Sequence, residues 1–270
     1  MYQLGFIGTG NMAGALVEAA CKTVDPAAIL LTNRTAAKAE VLAQRLGCQV
    51  TTSNSQVAQN AKWIFLGVKP QMMAGVLKEI APVLAARKDR FILVSMAAGL
   101  RLETLAQMVG ENYPILRIMP NTPAAIGEGM IFYTPNHQMT EEEIQDFCTI
   151  LAAGGLLDRL PEPMLDSGTA VAGCGGAFCN LFLEALADGG VACGLPRQKA
   201  LLYAAQMVIG TAKLMLETGK HPGALKDEVC SPAGSTIQGV RALERGGFRS
   251  ATFEAVVAAY EKTKALGDCA

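Results

Sequence analysis

The chain has 270 residues, enough for two domains at roughly 150 residues each. Its formal net charge is −1 and only 17% of its residues are charged, so it lacks the basic footprint of a nucleic-acid binder. Hydrophobic residues make up 51%, which excludes a disordered chain and predicts a face buried against another subunit.

The uncharged run Ser167–Leu183, bounded by Asp166 and Glu184, falls short of the ~20 apolar residues a membrane span needs. No membrane association is expected. No basic start with an apolar region and a cleavage site follows Met1, so no leader is expected either. The 8 cysteines form no C-x-x-C pair, and only His137 and His221 could join them, so no metal site is expected. Scattered thiols of this kind read as small core residues of a reduced, cytoplasmic protein.

Short apolar runs alternate with amphipathic stretches up to about residue 160. Strands are predicted at Tyr2–Ile7, Ile29–Thr32, Val50–Thr52, Trp63–Val68, Arg90–Ser95 and Pro114–Met119. Helices are predicted between them at Asn11–Lys22, Ala36–Leu46, Gln71–Ala86 and from Gly99 to Met108, with Gly47 stopping the second. This alternation predicts an α/β fold with a parallel, doubly wound sheet of Rossmann type. Met130–Tyr133 reads as an edge strand, Thr140-Glu-Glu-Glu143 as a capped helix start, and Leu156–Leu160 as a last strand.

Pro161-Glu-Pro163 marks the predicted boundary, giving a dinucleotide-binding domain at 1–161 and a helical domain at 162–270. Ser167–Val191, Arg197–Thr218 and Ser250–Ala265 read as helices, apolar on most faces and crowded with small residues. An all-α half of this kind cannot bury those faces alone, so an obligate oligomer is expected through it.

Gly8-Thr9-Gly10-Asn11-Met12-Ala13 fits G-x-G-x-x-A between the first strand and the first helix, the context that gives the pattern meaning. The first Gly makes the turn, the second lets a pyrophosphate approach, and Ala13 lets the helix pack on the sheet. The bland alternative is a packing turn of another α/β fold. Strand two ends in Thr32-Asn33-Arg34-Thr35, with no carboxylate to bind a ribose diol. Arg34 can pair with a 2′-phosphate, and Asn33 and Thr35 can donate to it, which favours NADP(H) and leaves NAD(H) possible. An exposed Arg starting a helix is the alternative. Lys69, after Val68, is either a cofactor contact or a solvated helix start.

Cys230-Ser-Pro-Ala-Gly-Ser235 interrupts the helical half, and a helix resumes near Thr236. Free N–H groups flanked by hydroxyls there suit a carboxylate. An ordinary helix–helix turn with a Ser N-cap reads as well.

At this loop the sequence resembles the pyrroline-5-carboxylate reductases. The resemblance runs through Gly5-Phe-Ile-Gly-Thr-Gly-Asn-Met12, Val68-Lys-Pro70, Met119-Pro-Asn-Thr-Pro123, Ala185-Leu-Ala-Asp-Gly-Gly190, Gly194-Leu-Pro196 and His221-Pro-Gly223. Its most specific part is Leu225-Lys-Asp-Glu-Val229 followed by Ser231-Pro-Ala-Gly-Ser-Thr236 and Gly246-Gly-Phe-Arg249. It implies reduction of the C=N bond of a cyclic imine to L-proline by NAD(P)H. It implies substrate contacts at Ser231, Gly234, Ser235 and Thr236, with Thr236 polarising the ring nitrogen as the catalytic group. It implies cofactor contacts at Ile7, Gly8, Thr9, Gly10, Asn11, Met12, Asn33, Arg34, Thr35, Asn54, Val68, Lys69, Pro70, Ser95, Ala97, Ala98 and Glu162. It also implies dimers with interlocked helical domains, often arranged as decamers.

The sequence departs from the family at Ala172-Gly-Cys-Gly-Gly-Ala-Phe178, where Ser-Gly-Ser-Gly-Pro-Ala-Tyr is common. A hydroxyacid dehydrogenase of the same plan would need a lysine on the first long helix of the second half, and no Lys lies between Arg159 and Arg197. A non-catalytic NADP sensor would have no use for the Ser231–Thr236 hydroxyls.

Overall fold

Strands β1 (Tyr2–Ile7), β2 (Ile29–Thr32), β3 (Gln49–Val50), β4 (Ala61–Leu66), β5 (Ile92–Ser95), β6 (Ile115–Met119), β7 (Gly129–Pro135) and β8 (Gly155–Arg159) form one sheet. Its order in the computed structural model, which describes residues 1–110 and 113–267, is β3-β2-β1-β4-β5-β6-β7-β8. Every neighbouring pair is parallel except β6 and β7. The helices around it are α1 (Asn11–Ala20), α2 (Ala36–Leu46), α3 (Asn54–Asn60), α4 (Pro70–Ala86), α5 (Leu102–Val109) and α6 (Glu141–Leu151). The fold is the doubly wound α/β arrangement expected from the alternation.

Side-chain alternation along β1 and β4 splits the core between the two faces of the sheet. Leu4, Phe6, Trp63 and Phe65 point to one apolar cluster, and Ile7, Ile64 and Leu66 to the other. Burial on both faces explains why these strands read as near-continuous apolar runs. Phe6 and Phe65 stack with ring centroids 4.4 Å apart. Trp63 and Tyr133 pack against Phe147 of α6, which closes the first face.

The sequence reading and the structure differ at particular elements. α3 was not expected, because its Asn54-Ser-Gln start is polar and only Val57 and Ala58 are buried. It is started by Ser53, whose side chain accepts the Gln56 N–H at 3.2 Å. β4 stops at Leu66 rather than Val68, and the chain bends at Val68. Met130–Tyr133 lies within β7, which is not an edge strand: β8 pairs with it on the outside. α1 ends at Ala20 rather than Lys22.

The chain divides into two compact units, one of Met1–Gly173 together with Tyr260–Gly267 and a second of Cys174–Ala259. Past β8 the first unit continues through α7 (Leu165–Gly168) and a π-helical turn at Thr169–Gly173. The second unit holds α8 (Gly175–Ala192), α9 (Arg197–Thr218), α10 (Pro222–Glu228) and α11 (Ser235–Arg245), and α12 (Phe248–Gly267) begins in it. The helix expected over Ser167–Val191 is therefore broken near Gly173, where Gly-Cys-Gly-Gly lacks side chains to hold a regular turn.

In this second unit α8 and α9 pack together, and Arg197 pairs with Asp188 between them. Only Ala187 is buried on α8, and only Ala200 and Ala204 on α9. Leu181, Leu202, Ile209 and Leu216 stand exposed. The stretches Glu162–Ala192 and Arg197–Thr218 reach mean hydropathies of 1.5 and 1.2 and are long enough to cross a membrane by length and composition. The uncharged-run count missed this because the helical stretch continues through Asp166 and Glu184.

Candidate functional site

Strand register brings the site-bearing loops of the first unit to one edge. Ile7 pairs with Thr32 and with Leu66, and Leu66 pairs with Ser95. The residues that follow each strand therefore emerge side by side at the carboxyl ends, where doubly wound sheets bind ligands.

The glycine loop turns between β1 and α1. Gly8 has φ +92, a conformation L side chains rarely adopt, and a Cβ there would sit 2.6 Å from the Gly67 carbonyl oxygen. Gly67 answers it: a Cβ on Gly67 would meet the Gly8 oxygen at 2.4 Å. The two glycines let the β1 and β4 ends close on each other. The Gly8 N–H donates to the Thr32 carbonyl at 2.9 Å and the Gly67 N–H to the Ile7 carbonyl at 2.8 Å. Gly67 was not singled out in the sequence, although a Gly directly after an apolar strand was a signal for it.

Gly10 is different. It is the N-cap of α1 with ordinary extended dihedrals, and a Cβ there would meet nothing within 4 Å. No side chain caps α1 and no acidic residue stands in its first turn. Thr9 is 7% exposed, and its Oγ1 is buried without a hydrogen-bond partner. Open space at Gly10, bare N–H groups at a helix start and an orphaned hydroxyl beside them fit a phosphate-bearing ligand.

Asn33 and Thr35 frame the end of β2. Asn33 Oδ1 accepts the Thr9 N–H at 3.1 Å, and its Nδ2 donates to the Thr35 carbonyl at 3.0 Å. Its amide thus braces the glycine loop. Arg34 is exposed, its Nη1 lies 3.9 Å from Met72 Sδ, and among the described residues no carboxylate pairs with it. Thr35 is the N-cap of α2, and its hydroxyl caps nothing. A guanidinium without a carboxylate partner among the described residues and a hydroxyl that caps nothing thus stand next to each other at the end of β2.

Across the crevice, Lys69 is the exposed N-cap of α4, Pro70 takes the first helical position, and Val68 is half-buried. Ser95 is fully buried at the end of β5, and its Oγ accepts the Ala97 N–H at 3.4 Å. Ala97 is buried and Ala98 half-buried. Ile7 is buried, while Asn11 is exposed and Met12 half-buried at the start of α1. A cavity of about 700 Å³ runs from Thr9, Gly10 and Asn11 along α1 to Lys38 and Arg45 of α2.

Two expected cofactor contacts are engaged elsewhere. Asn54 Nδ2 donates to Glu79 Oε2 at 2.8 Å. Glu162 Oε1 accepts the Leu102 N–H at 2.7 Å and Arg117 Nη1 at 3.1 Å. Arg117, 1% exposed on β6, also donates through Nη2 to Asp166 Oδ1 at 3.1 Å. This buried fork holds the Glu162–Asp166 segment against β6 and the start of α5. It was missed in the sequence because Arg117 sits inside an apolar strand, between Leu116 and Ile118, with no pattern announcing its partners.

In the second unit, α10 leads into the loop before α11. His221 Nδ1 accepts the Gly223 N–H at 3.1 Å and so caps α10. Ala233 has φ +60, the one non-glycine residue with positive φ among the described residues. That strain has a local cause: the Gly234 N–H donates back to the Ser231 carbonyl at 3.0 Å, closing a tight turn. A Cβ on Gly234 would strike Ser231 Oγ at 2.3 Å. Gly234 is the N-cap of α11 and offers no side chain, so the first N–H groups of α11 stand bare. Ser231, Ser235 and Thr236 are exposed around them. The turn gathers three hydroxyls and a helix start in six residues, an arrangement suited to a carboxylate.

Comparison with known proteins agrees with both halves. Residues 162–266 match the family model of pyrroline-5-carboxylate reductase dimerisation. Residues 3–99 match that of the NADP oxidoreductases, coenzyme F420-dependent. The chain is 43% identical over 266 residues to the pyrroline-5-carboxylate reductase of Escherichia coli, covering 98% of each. It is 39% identical to that of Pisum sativum, covering 98% of this chain and 96% of the other. Its fold is similar to the crystal structure of Plasmodium falciparum pyrroline carboxylate reductase with NADP bound, with TM-score 0.89, 30% identity and 98% of each chain covered. It is also similar to the reductase from Coxiella burnetii, with TM-score 0.87, 31% identity and 98% coverage of both chains.

Proposed function

Because the chain belongs to the pyrroline-5-carboxylate reductase family, we propose the following assignment of its residues to that family's reaction. The enzyme reduces the C=N bond of 1-pyrroline-5-carboxylate to L-proline, the last step of proline biosynthesis, with NADP(H) as cofactor. The observation that carries the reading is the pairing of two anion-suited loops in one chain: a glycine loop with open space and an orphaned hydroxyl, and a strained turn bearing three hydroxyls at a bare helix start.

NADPH, when bound, supplies the hydride. Gly8 to Met12 hold its pyrophosphate through backbone N–H groups, which no side chain crowds at Gly10. The Thr9 hydroxyl gains the partner it lacks in the free chain. Arg34 and Thr35 hold the 2′-phosphate, by a charge-assisted pair and a hydroxyl donor respectively. Asn33 positions the loop rather than the phosphate. Val68, Lys69, Pro70 and Ala98 would meet the cofactor at the carboxyl ends of β4 and β5, while Ser95 and Ala97, both buried, shape the loop that presents Ala98. Glu162 has one oxygen left for the cofactor, since Arg117 and the Leu102 N–H occupy the other. Asn54 contacts the cofactor only by exchanging its bond to Glu79.

The α11 turn holds the substrate. The Gly234 N–H, expected from the sequence to hold the carboxylate with that of Ser235, is taken by the Ser231 carbonyl, so the N–H groups of Ser235 and Thr236 and the Ser231 hydroxyl bind it, at the positive end of a helix dipole. Gly234 leaves the Ser231 hydroxyl in place, because a Cβ there would force that hydroxyl to move. The Thr236 hydroxyl donates to the ring nitrogen. Threonine is no acid near neutral pH, so Thr236 orients and polarises the imine and relays a proton to nitrogen from solvent. Positioning supplies much of the rate in such a reaction.

The family's dimerisation model covers the helices whose apolar faces the single chain leaves open, so these faces pack on a second copy. We further assign the assembly as dimers grouped into a decamer, and the enzyme to the cytoplasm. Analysis of the product tests the reaction: incubation with NADPH and pyrroline-5-carboxylate yields L-proline in equal amount to the NADPH consumed. Consumption of NADPH without proline would contradict the assignment.

A further inference from the structure

We propose that Cys21 and Cys48 form a redox-modification site, in which a two-electron oxidant such as hydrogen peroxide joins their neighbouring thiols in a disulfide that staples the C-terminal end of α2 to that of α1. Nothing in the reduction of the imine uses either thiol. Their Sγ atoms lie 3.5 Å apart and share a hydrogen bond. Each sits on a fixed helix end. Cys21 is the C-cap of α1, its N–H bonded to Val17. Cys48 follows Gly47, whose left-handed φ of +83 ends α2, and its N–H donates to Ala43 at 3.1 Å. The Arg45–Glu18 ion pair joins the same two helices. Closing the gap to a bond of about 2 Å moves the two sulfurs roughly 1.5 Å closer.

The two thiols are unequal. Cys48 is 9% exposed, whereas Cys21 is only half-buried, so oxidant reaches Cys21 first. The hydrogen bond from Cys48 holds the Cys21 thiol below the usual thiol range, against the opposing effects of burial and of the Glu18 carboxylate. The same bond, with burial, pushes Cys48 up. Cys21 is the attacking thiolate and Cys48 the resolving thiol.

The Cys21 sulfur attacks one peroxide oxygen, the O–O bond breaks, and hydroxide leaves, giving the sulfenic acid. The Cys48 sulfur then attacks the Cys21 sulfur. The S–S bond forms, the S–O bond breaks, and the departing oxygen leaves as water with the Cys48 proton. Two thiols lose two electrons and one peroxide becomes two waters. The closed loop contains β2, the Asn33–Thr35 segment and α2, and the bond itself sits at the ends of α1 and α2 opposite the glycine loop and Thr35. A disulfide of this kind in a reducing compartment is a transient, sensing bond.

The test is mild peroxide treatment of the intact, folded enzyme, alkylation of remaining thiols, and non-reducing tryptic mapping. Peptides 1–22 and 46–62 each contain one cysteine, and the expected product is their cross-link, two hydrogens lighter and reversed by dithiothreitol. Limiting iodoacetamide should label Cys21 well before Cys48. Cys21→Ser should abolish the cross-link and leave Cys48 unoxidised, while Cys48→Ala, which keeps an apolar side chain in the buried position, should send Cys21 on to the sulfinic acid. The oxidised enzyme should unfold several degrees higher than the reduced one. Peptides that stay separate while other cysteines oxidise, or a cross-link that forms only in urea, would overturn the proposal.

Discussion

Asn33 holds the glycine loop from the neighbouring strand: its Oδ1 accepts the Thr9 N–H while its Nδ2 donates to the Thr35 carbonyl. One side chain therefore sets the spacing between the pyrophosphate loop and the start of α2. Asn33→Ala removes both bonds, each contributing about 1 kcal/mol. The KM for NADPH should rise roughly 5- to 30-fold with kcat nearly unchanged. A fall in kcat at constant KM would place Asn33 in the chemical step instead.

Gly8 and Gly10 separate the two demands on this loop. Gly8→Ala puts a Cβ 2.6 Å from the Gly67 oxygen in a left-handed conformation, so the folded state itself suffers. Gly10→Ala meets open space at ordinary dihedrals, so the free protein should melt as the parent does. Its NADPH affinity should nonetheless fall by tenfold or more, because the methyl occupies the phosphate's place. Thermal unfolding and cofactor titration of both variants check this, and normal NADPH binding by Gly10→Ala would move the pyrophosphate elsewhere.

Arg34 is exposed next to Thr35 and has no carboxylate partner among the described residues. A charge-assisted contact to a phosphate contributes about 1.5–3 kcal/mol. Arg34→Ala should raise the KM for NADPH by tenfold or more and leave that for NADH within a factor of about two. An equal change for both cofactors would show that another group reads the 2′-phosphate.

Thr236 is assigned to the ring nitrogen of the substrate. Thr236→Ala should lower kcat/KM by about tenfold or more, as a lost hydrogen bond to a nitrogen that gains charge costs about 1.5–3 kcal/mol. Thr236→Ser should recover most of the loss. Steady-state kinetics that do not change in Thr236→Ala would remove the residue from the mechanism.

Arg117 is buried between Glu162 and Asp166. Arg117→Met leaves two carboxylates without their partner and should destabilise by about 3–5 kcal/mol. Glu162→Gln keeps a hydrogen-bond acceptor for Leu102 and should cost much less, with a small change in the KM for NADPH. Thermal unfolding of the pair decides the matter: equal losses would mean that the fork contributes nothing beyond shape.

Much of this was legible from local pattern. Tyr2–Ile7 and Trp63 to Leu66 are apolar because both faces of the sheet are covered, and the G-x-G-x-x-A spacing sits where a strand end meets a helix start. What escaped depended on tertiary pairing. α3 carries too few apolar residues to show a stripe. β7 reads like an edge strand until β8 covers it. Arg117 gives no sign of partners 45 and 49 residues away. Asn33 was read as a phosphate donor, and only the structure shows its amide turned back onto Thr9. The hydroxyl-rich turn at Ser231–Thr236 stood out in sequence, but the positive φ at Ala233 that shapes it did not.

The most direct test of the account is the initial rate of reduced-nicotinamide consumption by the purified enzyme with pyrroline-5-carboxylate, measured with NADPH and with NADH. The account requires turnover with a higher kcat/KM for NADPH, and loss of that preference in Arg34→Ala. Protein that binds NADPH yet consumes neither cofactor in the presence of the imine would contradict it.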